Sequence, residues 1–241
     1  MRVRRIRWSG PGLRLLLIVL ALTIVAVPSL VMAQSTEQRQ TPPSPARSVN
    51  PALLDLAAAT LTIQDLEAVG LEGYGIGSGQ ERSLRTTAEV LADNRGGISP
   101  ENVERFAAFL EEVNWQRGYE SGLAVLREDD PGYFAQVISS TIDVYATEAD
   151  ADEAFTRYSD PEGVTIADVE EVPGSVALGD DSRVWLVEGE AEDTGQPFQA
   201  VLVMFRTGTI EAGVGIYNWE EEPPDVALAE ALAGRLLERI K

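Results

Sequence analysis

The sequence predicts an α+β fold, in which an antiparallel meander sheet of about five strands packs with N-terminal helices and a C-terminal helix. From residue 131 onward, short runs of alternating apolar residues are separated by turns of two to five residues, which is typical of antiparallel meanders. Residues 224–241 begin with Pro-Asp and end with basic residues, as a helix that complements its macrodipole does. A sheet covered by helices follows from these two patterns.

The N-terminal segment has the pattern of an export signal. Its first 14 residues hold five arginines and no acid, and 13 uncharged apolar residues follow. A small-residue site then ends at Ala33, so residues 1–33 are predicted to be a signal peptide cleaved between Ala33 and Gln34. The alternative is an uncleaved anchor, because residues 15–33 are uncharged and long enough to span a bilayer. Both interpretations place the remaining chain outside the cytoplasmic membrane, secreted or in the cell envelope.

The remaining chain is expected to contain one folded domain. Residues 34–51 are polar and rich in proline, which predicts a disordered tether. Residues 52–241 are predicted to form a single α+β domain. Its first part, 52–130, is expected to be mostly helical, and its second part, 131–241, is expected to follow the order β-α-β-β-β-β-α.

Three helices are predicted in the first part of the domain. The first begins at Thr62, where Asp65 three residues later favours a capping box, and it ends at Gly70. The second covers residues 83–94 and is followed by Arg-Gly-Gly. The third covers residues 99–119, because its N-terminal Ser-Pro-Glu is a strong helix start and apolar residues recur along one stripe.

The elements of the second part follow from alternation and periodicity. Helical spacing identifies two amphipathic helices, and period-2 alternation identifies five strands. In chain order the segments are YFAQVISSTIDVYA (strand), EADADEAFTRYS (helix), VTIADVEEV, RVWLVEGEAE, QAVLVMFR and TIEAGVGIYNW (strands), and PDVALAEALAGRLLERIK (helix).

Composition excludes several classes of function. Removal of the N-terminal segment leaves 14 basic residues against 39 acids, a net charge of −25 that repels nucleic acids. The chain has no His and no Cys, and its single lysine is Lys241, so imidazole, thiolate and Schiff-base catalysis are excluded. Carboxylate chemistry is what remains for an enzyme. The sequence therefore favours a protein without catalytic activity and without a cofactor.

The glycine-rich stretch at residues 70–79 is not a phosphate-binding loop. A P-loop needs Lys and Ser or Thr after its last glycine, and no lysine lies there. A dinucleotide fingerprint needs a third glycine where this chain has Ser78. The stretch is predicted to be a glycine-rich strand or a surface loop.

Acidic clusters are considered as calcium sites, with a solvated surface as the favoured interpretation. Asp150 and Asp152 have the spacing of two ligands, but Ala154 occupies the position of the third. Two other clusters, at 159–163 and 179–182, have the composition of turns. The remaining cluster, on one strand face, consists of Glu188, Glu190 and Glu192. No metal site is predicted.

Large aromatic residues are the candidates for a ligand pocket. Five of them are singled out, with core packing as the alternative. They are Trp115, Tyr119, Trp185, Tyr217 and Trp219. Alternation makes both faces of the central strands largely apolar, so helix 226–240 is expected to cover one face and the helices of residues 83–119 the other. An imperfect fit at the second face would leave a pocket with Trp115 or Tyr119 at its rim.

The second part of the domain resembles a known group of domains. The segments VALGDDSRVWLV, QAVLVMFRTGTIEAGVGI and PPDVALAEALAGRL, within residues 131–241, are similar to extracytoplasmic sensor domains of bacterial membrane Ser/Thr kinases and to related secreted or lipid-anchored proteins of unknown role. The resemblance implies a sensor-like α+β fold without catalysis, and it assigns no functional residue.

The sequence therefore predicts an exported, non-enzymatic, sensor-like protein that binds a small apolar ligand or a protein partner. The membrane is expected to contact only the N-terminal segment, if that segment is not cleaved. Two alternatives stay open: a carboxylate-based hydrolase of the cell envelope, and a structural envelope protein.

Overall fold

The computed structural model describes residues 54–82, 107–126, 134–158, 167–173, 175–190, 197–219 and 224–241. Several predicted features lie outside these residues and stay predictions. They are the signal or anchor segment with its cleavage site, the tether, the helix over 83–94 and the beginning of the helix at 99.

A single antiparallel sheet dominates the described residues. It has seven strands in the order β1-β2-β3-β7-β6-β5-β4, and every neighbouring pair is antiparallel. The strands are β1 (Gly75–Arg82), β2 (Trp115–Leu126), β3 (Phe134–Tyr145), β4 (Ala167–Glu171), β5 (Asp181–Glu190), β6 (Pro197–Thr207) and β7 (Ile210–Asn218). Because β7 pairs with β3, the sheet joins an N-terminal meander, β1 to β3, to a C-terminal meander, β4 to β7.

Five helical segments accompany the sheet within the described residues. They are α1 (Leu56–Ala59), α2 (Ile63–Glu67), α3 (described over 107–112), α4 (Glu148–Tyr158) and α5 (Val226–Ile240). The α+β prediction is confirmed, and so is the order β-α-β-β-β-β-α of the second part. The predicted count of about five strands omits two of the seven, β1 and β2, which lie in the first part of the domain.

The prediction that residues 52–130 are mostly helical is wrong for β1 and β2. The predicted helix over 99–119 ends by residue 112, and a strand begins at Trp115. Asn114 causes the change, because its backbone has a left-handed φ of 48° and its N–H donates to the Glu111 carbonyl at 3.1 Å. Asparagine tolerates this conformation, which ends helices.

The glycine-rich stretch forms the edge strand β1, as one of its two interpretations predicted. Gly79 lies opposite Ser121 of β2. A Cβ at Gly79 would lie 2.8 Å from the Tyr119 hydroxyl oxygen, so glycine allows the tyrosine ring to pack over the strand.

The first face of the sheet carries the main hydrophobic core. Helix α5 covers it and contacts β6 and β7. Leu232, Leu236 and Ile240 are buried as predicted, while Leu228 is half-buried at the edge of the same cluster. The strand residues beneath them are Ile138, Ile142, Val184, Val201, Val203, Phe205, Ala212, Val214 and Ile216. Helices α1 and α2 complete this layer through Leu56 and Leu66.

An ion pair connects the C-terminal helix to the N-terminal helices. Arg239 Nη2 lies 2.7 Å from both carboxylate oxygens of the buried Asp65. Arg239 Nη1 donates to the carbonyls of Ala58 and Thr60 at 3.1 and 3.3 Å. Asp65 Oδ2 also accepts the backbone N–H of Thr62 at 2.7 Å, which confirms the predicted capping interaction. We call these groups the Arg239–Asp65 clamp.

The clamp predicts a specific loss of stability in acid. Burial raises the pKa of Asp65, but hydrogen bonds from Thr62 and the Arg239 guanidinium outweigh burial and lower it below the ordinary 3.8. A carboxyl with a lowered folded pKa stabilises the folded chain above its unfolded pKa, and this contribution is lost as the pH falls through the folded value. We expect the stability difference between wild type and Asp65→Asn to be constant above about pH 5 and to shrink below about pH 4, measured by urea denaturation. An equal difference at both ends of this range would contradict the assignment.

Candidate functional site

The second face of the sheet divides into a polar end and an aromatic end. At the polar end, α4 lies against β3, β6 and β7 and buries Ala151, Ala154 and Phe155. Arg206 of β6 pairs there with Asp152 of α4, with 3.1 Å between Nη2 and Oδ1. The aromatic end is formed by side chains from the other ends of β6 and β7 and from the middle of β5.

The polar end combines hydrogen-bonded pairs with two buried side-chain atoms, Arg206 Nε and Thr209 Oγ1, that have no hydrogen-bond partner among the described residues. The indole Nε1 of Trp115 donates to Asp143 Oδ1 at 2.8 Å, and the Tyr145 hydroxyl donates to Glu211 Oε2 at 3.1 Å. A Cβ at Gly118 would lie 2.3 Å from that same Asp143 oxygen, so only glycine fits beneath the Trp115–Asp143 pair. Trp115 and the two acids therefore have a structural role that their hydrogen bonds explain.

Four rings at the other end form what we call the aromatic cluster: Trp185 of β5, Phe198 of β6, Tyr217 of β7, and Trp219 directly after β7. The rings of Phe198, Tyr217 and Trp219 form a near-equilateral triangle. Their centroids lie 6.3 to 6.4 Å apart, and the ring planes are inclined to one another by 30° to 53°. These distances are typical of tilted aromatic contacts.

The cluster has a buried base and a half-exposed rim. Trp185 and Tyr217 are only 6% and 3% exposed. Phe198 and Trp219 are half-buried, as are the neighbouring aliphatic side chains of Leu202 and Met204. Solvent therefore reaches the outer rings and aliphatic groups, while the inner rings contact Val137, Val187 and Ala200 of the same cluster.

Two glycines of β7 make room for these side chains. A Cβ at Gly213 would lie 2.2 Å from Met204 Sδ, and a Cβ at Gly215 would lie 2.8 Å from Tyr217 Cε2. Gly215 stands opposite Leu202 of β6 and Ser139 of β3. The side chains of Met204, Leu202 and Tyr217 therefore pack directly over the backbone of β7 at these two positions.

The cluster contains two hydrogen-bond donors without an acceptor. Within the described part of the chain, the indole Nε1 atoms of Trp185 and Trp219 are buried and have no hydrogen-bond partner. An indole N–H is a donor only, and a buried donor without a partner costs about 1–3 kcal/mol. Trp115 shows the ordinary arrangement in the same sheet, because its indole is satisfied by Asp143.

The structure brings together three of the five aromatic residues predicted for a pocket. Trp185, Tyr217 and Trp219 belong to the aromatic cluster. Trp115 lies at the opposite, polar end of the same face, and Tyr119 packs with the core of the first face. The prediction that a covering helix carries Trp115 and Tyr119 is wrong, because both belong to β2.

Sequence reasoning missed Phe198, which contacts both Tyr217 and Trp219. Its neighbour Pro197 begins β6, two residues before Gln199, where the strand was predicted to start. The signal was available in the alternation of Phe198, Leu202 and Met204, which places the phenylalanine on the face of the predicted aromatics.

The acidic clusters considered for calcium are occupied by local contacts where they are described. Asp150 bonds to Thr147 and Asn114, and these hydrogen bonds hold its pKa below the ordinary value. Asp152 pairs with Arg206, and Asp180 accepts the N–H of Gly208 at 2.6 Å. No group of three or more potential ligands gathers at one point among the described residues. The cluster at 159–163 and Glu192 lie outside them.

Comparisons with known proteins give one structural neighbour to report. No family model matches the chain, and no curated protein matches it. The chain is similar to the extracellular domain of PknH, a Ser/Thr kinase of Mycobacterium tuberculosis, with 9% identity and a TM-score of 0.49. The match covers 77% of this chain and 94% of that domain. A likeness of this degree assigns no function, so the functional conclusion depends on the residues of the site.

The described residues contain no helix that is long and apolar enough to cross a membrane. The Arg-rich and apolar segment of residues 1–33 lies outside that part of the chain. Export and anchoring therefore stay predictions from the sequence.

Proposed function

We propose that the protein is an extracytoplasmic, non-enzymatic binding protein whose aromatic cluster holds a small ligand. One observation carries this proposal: Trp185 and Trp219 each direct a buried indole N–H into surroundings that offer it no acceptor among the described residues. If these side chains served packing alone, phenylalanine would suit both positions, because it fills similar space without an unpaired donor.

The burial of the cluster supports a binding role. Its inner rings are buried against the sheet, and its outer rings are partly exposed to solvent. Small-molecule sites are usually lined mostly by apolar and aromatic side chains with a few polar groups, which is the composition of this cluster.

The composition supports binding without catalysis. The chain has no His and no Cys, and its lone Lys241 is the last residue. A hydrolase would need a pair of acids, and two acids at the polar end, the half-buried Asp143 and the buried Glu211, accept hydrogen bonds from Trp115 and Tyr145. No specific observation favours the hydrolase or the structural protein over a binding protein.

An uncharged apolar dye tests the proposal. We expect N-phenyl-1-naphthylamine to bind the purified protein and to quench tryptophan emission, because the half-buried rim presents apolar surface. Trp219→Ala should weaken dye binding about tenfold or more, since a lost aromatic contact of about 1.4 kcal/mol corresponds to that factor.

Trp115→Phe is the matched control, because Trp115 lies on the same face but at the polar end. Its dye affinity should equal that of the wild type, and circular dichroism should show that both variants are folded. Dye binding that is unchanged in Trp219→Ala would show that the dye binds elsewhere on the protein. A wild-type protein that binds no dye would indicate that the cluster serves only packing.

A further inference from the structure

From the chemistry of the aromatic cluster we infer the class of its ligand: an uncharged oligosaccharide, held against the rings by its C–H faces and by two indole hydrogen bonds. The inference rests on the proposed function and replaces the purely apolar ligand that the sequence suggested. Three properties of the cluster carry it, namely the unpaired donors, the mutual inclination of the rings, and the charge.

The donors require oxygen on the ligand. Trp185 Nε1 and Trp219 Nε1 can only donate, and neither has an acceptor among the described residues. A hydrocarbon ligand would leave both unpaired, whereas hydroxyl and ring oxygens of a sugar accept from N–H groups. Because Trp185 lies on β5 and Trp219 directly follows β7, a ligand with acceptors at more than one position fits the two indoles best.

The rings suit a puckered ligand better than a flat one. The planes of Phe198, Tyr217 and Trp219 are inclined by 30° to 53°, so they do not form a parallel slot for an aromatic ligand. Ring faces carry partial negative charge and attract polarised C–H groups. A pyranose chair presents such groups on both of its faces and at several inclinations.

The charge of the chain disfavours an anionic ligand. The chain has a net charge of −20. Two arginines of β5 and β6 share the face of the cluster: Arg206 pairs with Asp152 and Asp180, and Arg183, two residues before Trp185, takes part in another interaction. A quaternary ammonium ion would suit the charge and the ring faces, but it has no acceptor for the indoles. An uncharged polyhydroxyl ligand satisfies all three conditions.

Indole resonances measured by ¹⁵N–¹H NMR spectroscopy test the inference on the full chain. The probes are maltotriose, cellotriose and tri-N-acetylchitotriose at millimolar concentration. The signals of the three described tryptophans are assigned through single Trp→Phe variants. We expect at least one probe to shift the Trp185 and Trp219 indole N–H signals downfield, as new hydrogen bonds do, while the Trp115 signal stays in place because Asp143 already holds it. Trp219→Phe should retain the ring contact and weaken sugar binding about tenfold.

The outcomes separate this inference from the proposed function. A protein that binds N-phenyl-1-naphthylamine at the cluster but shows no indole shift with any trisaccharide keeps the proposed function and overturns the sugar assignment. A protein that binds neither probe overturns both. Indole shifts with tetramethylammonium or with trigalacturonate, but not with the neutral sugars, would assign a charged ligand instead. Equal shifts of all three indoles, Trp115 included, would indicate non-specific association and also overturn the inference.

Discussion

Replacement of Gly179 by alanine is expected to lower the free energy of unfolding by about 3 kcal/mol, because it combines a left-handed backbone penalty with a steric clash. Gly179 has a φ of 64°, and a Cβ there would lie 2.1 Å from the carbonyl oxygen of Arg206. The adjacent N–H of Asp180 donates to the same carbonyl at 2.7 Å, so the turn cannot move away without losing that hydrogen bond. Urea denaturation at neutral pH measures the effect.

Gly208→Ala is the matched control for this prediction. Gly208 also has a positive φ, 57°, but the nearest atom to its added Cβ is a Glu148 oxygen at 3.9 Å. The free energy of unfolding of Gly208→Ala should therefore fall only by the left-handed backbone penalty, about 1 kcal/mol. Equal losses in the two variants would show that the contact with the Arg206 carbonyl does not constrain the turn.

Replacement of Arg239 by alanine is expected to destabilise the folded chain by about 2–3 kcal/mol, because it leaves the buried Asp65 carboxylate without its counter-ion. The carbonyls of Ala58 and Thr60 lose a donor in the same variant. Helices α1 and α2 should then detach more easily from α5. Hydrogen exchange of the amides at 56–67 would accelerate together with the loss of global stability.

Arg235→Ala, one turn earlier on α5, controls for the loss of an arginine from this helix. This variant should lower the free energy of unfolding less than Arg239→Ala does, measured in the same denaturation experiment. The stability of Arg239→Lys should lie between those of the two alanine variants. An ammonium group can pair with Asp65, but it lacks the planar fork with which arginine also reaches both carbonyls. A stability of Arg239→Ala equal to that of Arg235→Ala would contradict the role assigned to the clamp.

Local patterns predicted the elements whose neighbours in sequence are also neighbours in space. Strands β5, β6 and β7 alternate clearly, and only two residues separate β6 from β7, so both the strands and their faces were predicted. The N-cap of α5 at Asp225 was also predictable, since its carboxylate accepts the N–H groups of Ala227 and Leu228. These interactions span only a few residues, and a single sequence contains all of the information that determines them.

The change from helix to strand at Trp115 was not predictable from periodicity. Apolar residues at 110, 113 and 115 satisfy a helical stripe, yet Trp115 is buried against the sheet. The chain changes from helix to strand at Asn114, but asparagine is only moderately diagnostic of a left-handed backbone. The strand that follows is stabilised by long-range pairing of β2 with β3, and tertiary contacts of this kind override local propensity.

Three of the four rings of the aromatic cluster could be predicted. Trp185, Tyr217 and Trp219 were identified as large aromatic residues, and alternation puts Tyr217 and Trp219 on one face of their strand. The separation of Tyr119 from them depends on the register of β2 against β3, which only the folded sheet determines. The sequence also could not show that two of the indole N–H groups lack a hydrogen-bond acceptor, because the residue type alone does not indicate whether an acceptor faces it.

The pairing of β3 with β7 also has a consequence for how the chain folds. Partners across this seam, such as Gln136 and Asn218, are far apart in sequence, whereas the hairpins on either side join near neighbours. Closing the long loop between β3 and β7 costs conformational entropy before any contact between these two strands forms. The two meanders are therefore expected to form first and to dock late. Until they dock, β3 and β7 are both exposed edges of growing sheets, and β7 is buried along its whole length in the native state. The same pairing that completes the sheet is therefore where the folding chain is most exposed to aggregation, and where a chaperone would protect it best.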